Sequence, residues 1–334
     1  MSLDDLLGDG FEYQGYLLFN GIYKTDFIGE EYHGGKNEAS GQLSKDLPEY
    51  RDTDQSSSEG YLPLNLREAL FDDPSISEEL ETVADQIIAN RYVYETRDTV
   101  DAYYNGDEIQ AEVPSRNDAD IYWEYPDYLY LRGSKDDVDE TREKTFKVLQ
   151  GNVKYTPIDF DGDFLLWLYY KTYEGQGLPT RLSVDRFTDT EITGDRDAFG
   201  ETNSVDDSTD LEVCIPMIAG ILRDKSISML QGYYDLYNQY KLKAQVGSGR
   251  VHIKATEGDI QTATDSRRMA ISLAYLSELL ELHGHWQNLP PTDKYPPRSF
   301  FEDLYQTAQD QGIEIESISQ DVLDKYGGLR DEDW

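Results

Sequence analysis

The chain has 334 residues, 38% hydrophobic and 12% aromatic, too rich in core formers for a disordered protein and long enough for two ordinary domains or one large one. Its 67 Asp and Glu outnumber 30 Lys and Arg for a net charge of −37, a self-repulsion that opposes compaction unless salt screens it. The single cysteine, Cys214, excludes an internal disulfide and any site built on several cysteines, and its apolar flanks Val213 and Ile215 point to an inert buried thiol.

Residues 1–60 alternate aromatic and polar positions around Phe11, Tyr13, Tyr16, Leu18 and Phe19, then thin into Asp52–Gly60, which has nothing to bury. This predicts a strand-rich N-terminal arm and linker. From Ser77 to Asn90, Leu80, Val83, Ala84, Ile87 and Ile88 recur at helical spacing behind an acidic first turn, predicting a helix. Asn105-Gly106 between Val100–Tyr104 and Glu108–Val113 signals a hairpin, and a third strand is expected at Ile121–Trp123. Tyr128–Leu131, a helix capped by Ser134 with Val138, Thr145, Val148 and Leu149 inward, and Val153–Ile158 make a β-α-β unit. A short aromatic helix follows over Phe164–Leu168.

Asp185–Asp210 has few core formers and reads as an acidic surface excursion between lobes. Beyond it, Leu211–Leu222 opens the second half, and Ile227–Leu230, Tyr237–Val246 and Arg250–Ala255 read as strands, with Gly247-Ser248-Gly249 as a turn. A long helix from Asp265 buries Met269, Leu273, Leu276 and Leu280; Ser299 and Glu302 suggest a capping box before a helix stopped at Gly312, and Ser319–Tyr326 forms a last helix ending at Gly327. The expected fold class is α+β: an arm and linker (1–60), a mixed strand/helix middle lobe with the β-α-β unit (61–184), the excursion (185–210), and a C-terminal antiparallel sheet covered by helices (211–334).

The acids are scattered through every segment, a pattern that resembles the proteomes of halophilic archaea and their viruses or plasmids. That resemblance implies a salt-rich cytoplasm and no particular activity. No stretch approaches the roughly 20 apolar residues that cross a bilayer, and Met-Ser-Leu-Asp-Asp lacks the basic start of a signal peptide, so a cytoplasmic protein without membrane contact is expected.

Within 221–270 the charge reverses. Arg223, Lys225, Lys241, Lys243, Arg250, Lys254, Arg267 and Arg268 outnumber five acids there. Strand alternation places Lys241, Lys243 and Lys254 on a solvated face, with Arg250 at the turn and Tyr237 and Tyr240 offered for stacking, the combination that single-stranded nucleic acid needs. Arg267 and Arg268 stand in a first helical turn, where the helix dipole disfavours cations. Asp159, Asp161 and Asp163 alternate like hard-cation ligands, but without the later Glu of a calcium loop, and an N-cap explains them better. His283 and His285 lack a third fixed metal ligand.

No phosphate loop, dinucleotide fingerprint, nucleophile elbow or HExxH spacing occurs, so no catalytic residue and no cofactor is nominated. The leading expectation is a non-enzymatic binding protein associated with nucleic acid or a nucleoprotein assembly through the 223–268 surface. A structural or assembly protein, with residues 1–60 reaching to a protein partner or a second copy, is the alternative, and a metal-dependent hydrolase on Asp159–Asp163 is the third.

Overall fold

The computed structural model describes residues 11, 15–51, 58–71, 73, 76–104, 107–197, 200–209, 211–312, 315 and 317–334. Tyr13, the Asn105-Gly106 turn and most of the Asp52–Gly60 run lie outside them. The fold is α+β, in two compact units, one mainly Leu17–Ile158 and the other mainly Asp159–Thr264 with Ile271–Trp334. The division falls at 158/159, not at the expected 184 and 210.

In the first unit, β1 (Tyr16–Phe27) is an interior strand: Tyr23 pairs with Leu129 of β5 (Tyr128–Arg132) on one side and with Pro157 of β6 (Val153–Pro157) on the other. Both neighbours run antiparallel to β1 and therefore parallel to each other, joined by a helix, α4 (Lys135–Leu149). The expected β-α-β unit is present, with β1 inserted between its strands. Ser134 caps α4, accepting from Asp137 N at 3.2 Å, and Val138, Thr141, Thr145 and Leu149 are buried. Gly21 lets the helix approach, since a Cβ there would sit 3.2 Å from both Leu131 Cβ and Val138 Cγ1.

Residues 16–46 therefore belong to this folded unit and form no free arm. They include α1 (Lys36–Asp46), a helix the sequence pattern did not announce. Beyond it come β2 (Glu59–Leu64), α2 (Leu66–Leu70) and α3 (Glu78–Gln86), the last capped by Ser77. The predicted 77–90 helix ends early, at Gln86, because Ile87 begins β3 (Ile87–Tyr104). Every residue from Ile87 to Val93 is buried, so both faces of the strand are apolar enough to imitate helical spacing. β4 (Asp107–Glu124) pairs with β3 along its whole length and absorbs Ile121–Trp123, which is no third strand. The sheet order is β2-β3-β4-β5-β1-β6.

The second unit is an antiparallel sheet, ordered β8-β7-β9-β10-β11 and covered by helices. The 185–210 segment is not a surface excursion. It supplies β7 (Leu182–Asp197) and β8 (Gly200–Val205), and β7 pairs with β9 (Ser226–Leu236) from Leu182↔Leu236 to Thr193↔Ser226. Three register irregularities in that ladder break the alternation that would have betrayed a strand. β10 (Tyr240–Gly247) and β11 (Arg250–Lys254) complete the sheet.

α5 (Gly162–Tyr173), α6 (Ile215–Ile221), α7 (Asp265–Gln287), α8 (Pro291–Lys294), α9 (Arg298–Asp310) and α10 (Gln320–Arg330) follow in chain order among these strands. The predicted α7 stripe is buried, and so are Ile271, Ala274, Tyr275 and Leu279, which makes this a core helix. Two cap predictions fail. α9 starts at Arg298 behind Pro297, with Glu302 held by Arg298 at 2.8 Å instead of a capping box. α10 runs through Gly327 and Gly328 and ends at Asp331, whose φ is 58°.

Candidate functional site

On β10 the inward residues Tyr240, Leu242, Ala244 and Val246 are buried as the alternation predicts. Tyr240 is thus core and cannot stack on a ligand. On the opposite face the ladder sets Lys243 between Tyr233 of β9 and Lys254 of β11, and Tyr233 in turn pairs with Arg186 of β7. The Arg186 guanidinium lies 4.9 Å from the Tyr233 ring centroid and Lys243 Nζ lies 5.5 Å from it, both in cation–π range. Cations gathered on one rung repel unless acids intervene.

Two acids do. Lys243 Nζ is 3.4 Å from Asp189 Oδ2, with Asp207 at 3.9 Å, and only 5% of the Lys243 side chain is exposed. Asp189 also accepts from Thr188 Oγ1 at 2.5 Å, from the Asp207 amide at 3.0 Å and from Gln231 Nε2. Burial pushes the Asp189 carboxyl up, and these hydrogen bonds together with Lys243 bring it below its ordinary value. Glu257 accepts from Tyr233 OH at 2.6 Å and pairs with Lys254 Nζ at 2.9 Å. It too is held low against its burial, and it raises both Lys254 and Tyr233.

The expected solvated cationic face is therefore largely a closed network. Lys243 is buried, and Lys225, also buried, donates to Gly200 O at 2.6 Å. Lys254 is engaged by Glu257. Tyr237 sits in the β9–β10 turn, not in a strand: it and Asn238 have φ of 62° and 54°, and Arg181 covers its ring at 4.3 Å. Arg268 pairs with Asp265 at 2.7 Å, which accounts for a cation in that first turn, and Arg267 beside it is half-buried. What remains outward is Lys241, 3.3 Å from Asp185, with Arg250 and Arg223. Arg250 adds to burial in depressing the neighbouring His252 to about 4. Asp189, Arg186 and Gln231 were missed by sequence reasoning because their partners are far away in the chain and only strand pairing collects them; Glu257 reaches Lys254 three residues back, but also Tyr233 on a distant strand.

The aspartates resolve individually. Asp161 caps α5, accepting from Asp163 N at 3.0 Å and Phe164 N at 2.9 Å, as the N-cap reading expects. Asp159 accepts from Ser248 Oγ and Asp163 from Tyr326 OH. His283 is enclosed by Phe160, Phe164 and Trp286, with centroids 4.9–5.7 Å away, and burial followed by Lys294 lowers it to about 4. His285 is exposed. Among the described residues no group of three or more His, Cys, Asp or Glu is placed to hold a metal ion. Cys214 is half-buried, its thiol raised by burial, which suits an inert group.

The second candidate surface is the far end of the β3–β4 hairpin. Along this hairpin β2 pairs with residues 89–94 and β5 with 120–124, and Glu95 N still reaches Ser58 O at 2.9 Å, yet β3 and β4 stay in register from Glu95↔Arg116 to Tyr104↔Asp107. At about 3.3 Å per residue, these ten rungs make a two-stranded ribbon about 30 Å long beyond the flanking strands. Its faces differ. Val100, Ala102, Ile109, Ala111 and Val113 share one, with Asp98, while Arg97, Thr99, Asp101, Tyr103, Gln110 and Glu112 share the other. Val100, Ile109 and Val113 are 41–44% exposed. Residues 96–101 and 112–114 are exposed without a break.

No protein-family model matches the chain, and no curated protein matches its sequence. Among the described residues no helix is long and apolar enough to cross a membrane.

Proposed function

We propose that this is a non-enzymatic binding protein that serves as a structural or assembly component, with the distal β3–β4 ribbon as its interaction arm. The observation that carries the reading is the apolar face of that ribbon, left open on a chain otherwise crowded with acids. An isolated two-stranded ribbon is marginal in water, so one that stands clear of its sheet gains most from docking. The network around Asp189 and Glu257 serves to hold the second unit's sheet together. Nucleic acid, the other partner class for a binding protein, draws support from the outward Arg223, Lys241 and Arg250 alone. The charge of −37 supports a salt-rich cytoplasm, that of a halophilic archaeon or one of its mobile elements, as the setting.

The test replaces residues 96–115 with an Asn-Gly turn and compares the two proteins, purified in molar KCl, by sedimentation and by the proteins retained in fixed stoichiometry. Loss of the retained protein with an unchanged unfolding midpoint is the expected result. Unchanged association, or nuclease-sensitive absorbance that vanishes only when Arg223, Lys241 and Arg250 are changed, would remove the ribbon from the account.

A further inference from the structure

On the reading that the ribbon is an interaction arm, we infer that its occupant is an amphipathic helix with basic flanks, supplied by a different protein and laid on the face of Val100, Ala102, Ile109, Ala111 and Val113. The shape follows from what the same face carries nearer the sheet. There, Ile88, Tyr92, Ala119, Ile121 and Trp123 share one core cluster with Val138 and Leu149 of α4, so this face already packs beneath a helix. The cover stops where α4 begins: Tyr94 OH donates to Asp137 Oδ1 at 2.8 Å, in the first turn of that helix. Past Tyr94 the helix is gone, and after a polar step of Asn117, Thr96, Ser115 and Asp98 the face turns apolar again from Val113 to Ile109. A second helix would extend the layer.

Strand addition fits less well. Pro114 removes a donor from β4, and the acids along both strands are a known defence against edge pairing. Sign decides between a foreign partner and a second copy. Residues 95–118 hold seven acids (Glu95, Asp98, Asp101, Asp107, Glu108, Glu112 and Asp118) against Arg97 and Arg116. Arg97 is already drawn to Glu112 at 3.5 Å and Glu95 at 3.8 Å. A second copy would bring the same excess of negative charge, whereas Lys and Arg flanking an apolar stripe complement it.

The experiment uses the full chain and two fluorescent 18-residue peptides of identical Leu and Lys composition, one with Leu at i, i+3, i+4 and i+7 spacing and one scrambled. Anisotropy is read in molar KCl, which suppresses attraction by charge alone. The patterned peptide is expected to bind more tightly than the scrambled one, at least tenfold more weakly to Val100→Ser/Ile109→Ser/Val113→Ser, and unchanged to Gln110→Ser on the opposite face. Equal binding of both peptides, or no loss in the triple variant, overturns the inference. So does self-association of the unliganded chain that the triple variant abolishes, since the occupant would then be a second copy. If shortening the ribbon strips a native protein partner while the patterned peptide shows no preference, the interaction arm stands and the helical occupant falls.

Discussion

Asp189 and Lys243 offer an asymmetric test of whether the cations of the second unit are structural. Asp189→Asn leaves Lys243 buried, with Asp207, among the described residues, the remaining carboxylate within 4 Å, at 3.9 Å on a side chain that is itself almost wholly exposed. Stranding a buried charge costs about 3–5 kcal/mol. Lys243→Met keeps most of the buried chain length and removes the charge, while Asp189 retains Thr188, Gln231 and the Asp207 amide, so the loss is about 1 kcal/mol. The double variant should resemble Lys243→Met, giving a coupling of about 2 kcal/mol or more. Urea unfolding in molar KCl, followed by near-ultraviolet circular dichroism, reads all four proteins. If both single variants cost less than about 0.5 kcal/mol, as solvent-facing side chains do, the closed network is wrong and the cationic face is open after all.

Three further outcomes are expected. Asp120, buried between Arg91 Nε at 2.7 Å and Arg132 and bonded by Tyr122 OH at 2.8 Å, is the shared anion of the buried Arg91 and the half-buried Arg132; Asp120→Asn should cost about 3–5 kcal/mol in the first unit, and a loss under about 1 kcal/mol in urea unfolding would contradict that role. His283 resists protonation down to about 4, whereas the unfolded chain takes up that proton near 6.5, so stability is fullest above about pH 6.5 and is lost as pH falls toward 4, by at most about 3 kcal/mol. His252 adds a loss of the same sign, and His283→Phe should flatten the slope of the unfolding midpoint between pH 7 and 4; an unaltered slope rules the buried imidazole out as its source. Gly21→Val should destabilise the first unit by about 1–3 kcal/mol, because its side chain meets Leu131 and Val138, and an unchanged midpoint would mean that α4 does not sit so close.

Where local chemistry decides structure, the sequence was readable. Ser134 and Asp161 cap the helices expected of them, the β-α-β unit lies where its alternating periods place it, and the C-terminal sheet is antiparallel and helix-covered. Apart from the two misplaced helix caps, the failures share one cause, which is that the deciding partner is distant in the chain. β7 looks like an acidic loop until Lys243, 54 positions beyond Asp189, neutralises it. Strand alternation put Lys243 on the correct face of β10 but said nothing of what covers that face. The ribbon was visible as a hairpin, whereas its projection beyond the sheet depends on where β2 and β5 end, which no local pattern encodes.

The most direct test of the interaction arm is amide hydrogen exchange on the chain alone and on the same chain in the complex isolated from its native host. The ribbon account predicts that complex formation slows exchange across 96–104 and 107–115 and leaves β10 and β11 unchanged. Protection confined to 223–254, with the ribbon exchanging equally fast in both states, would contradict it and return the working surface to the basic strands.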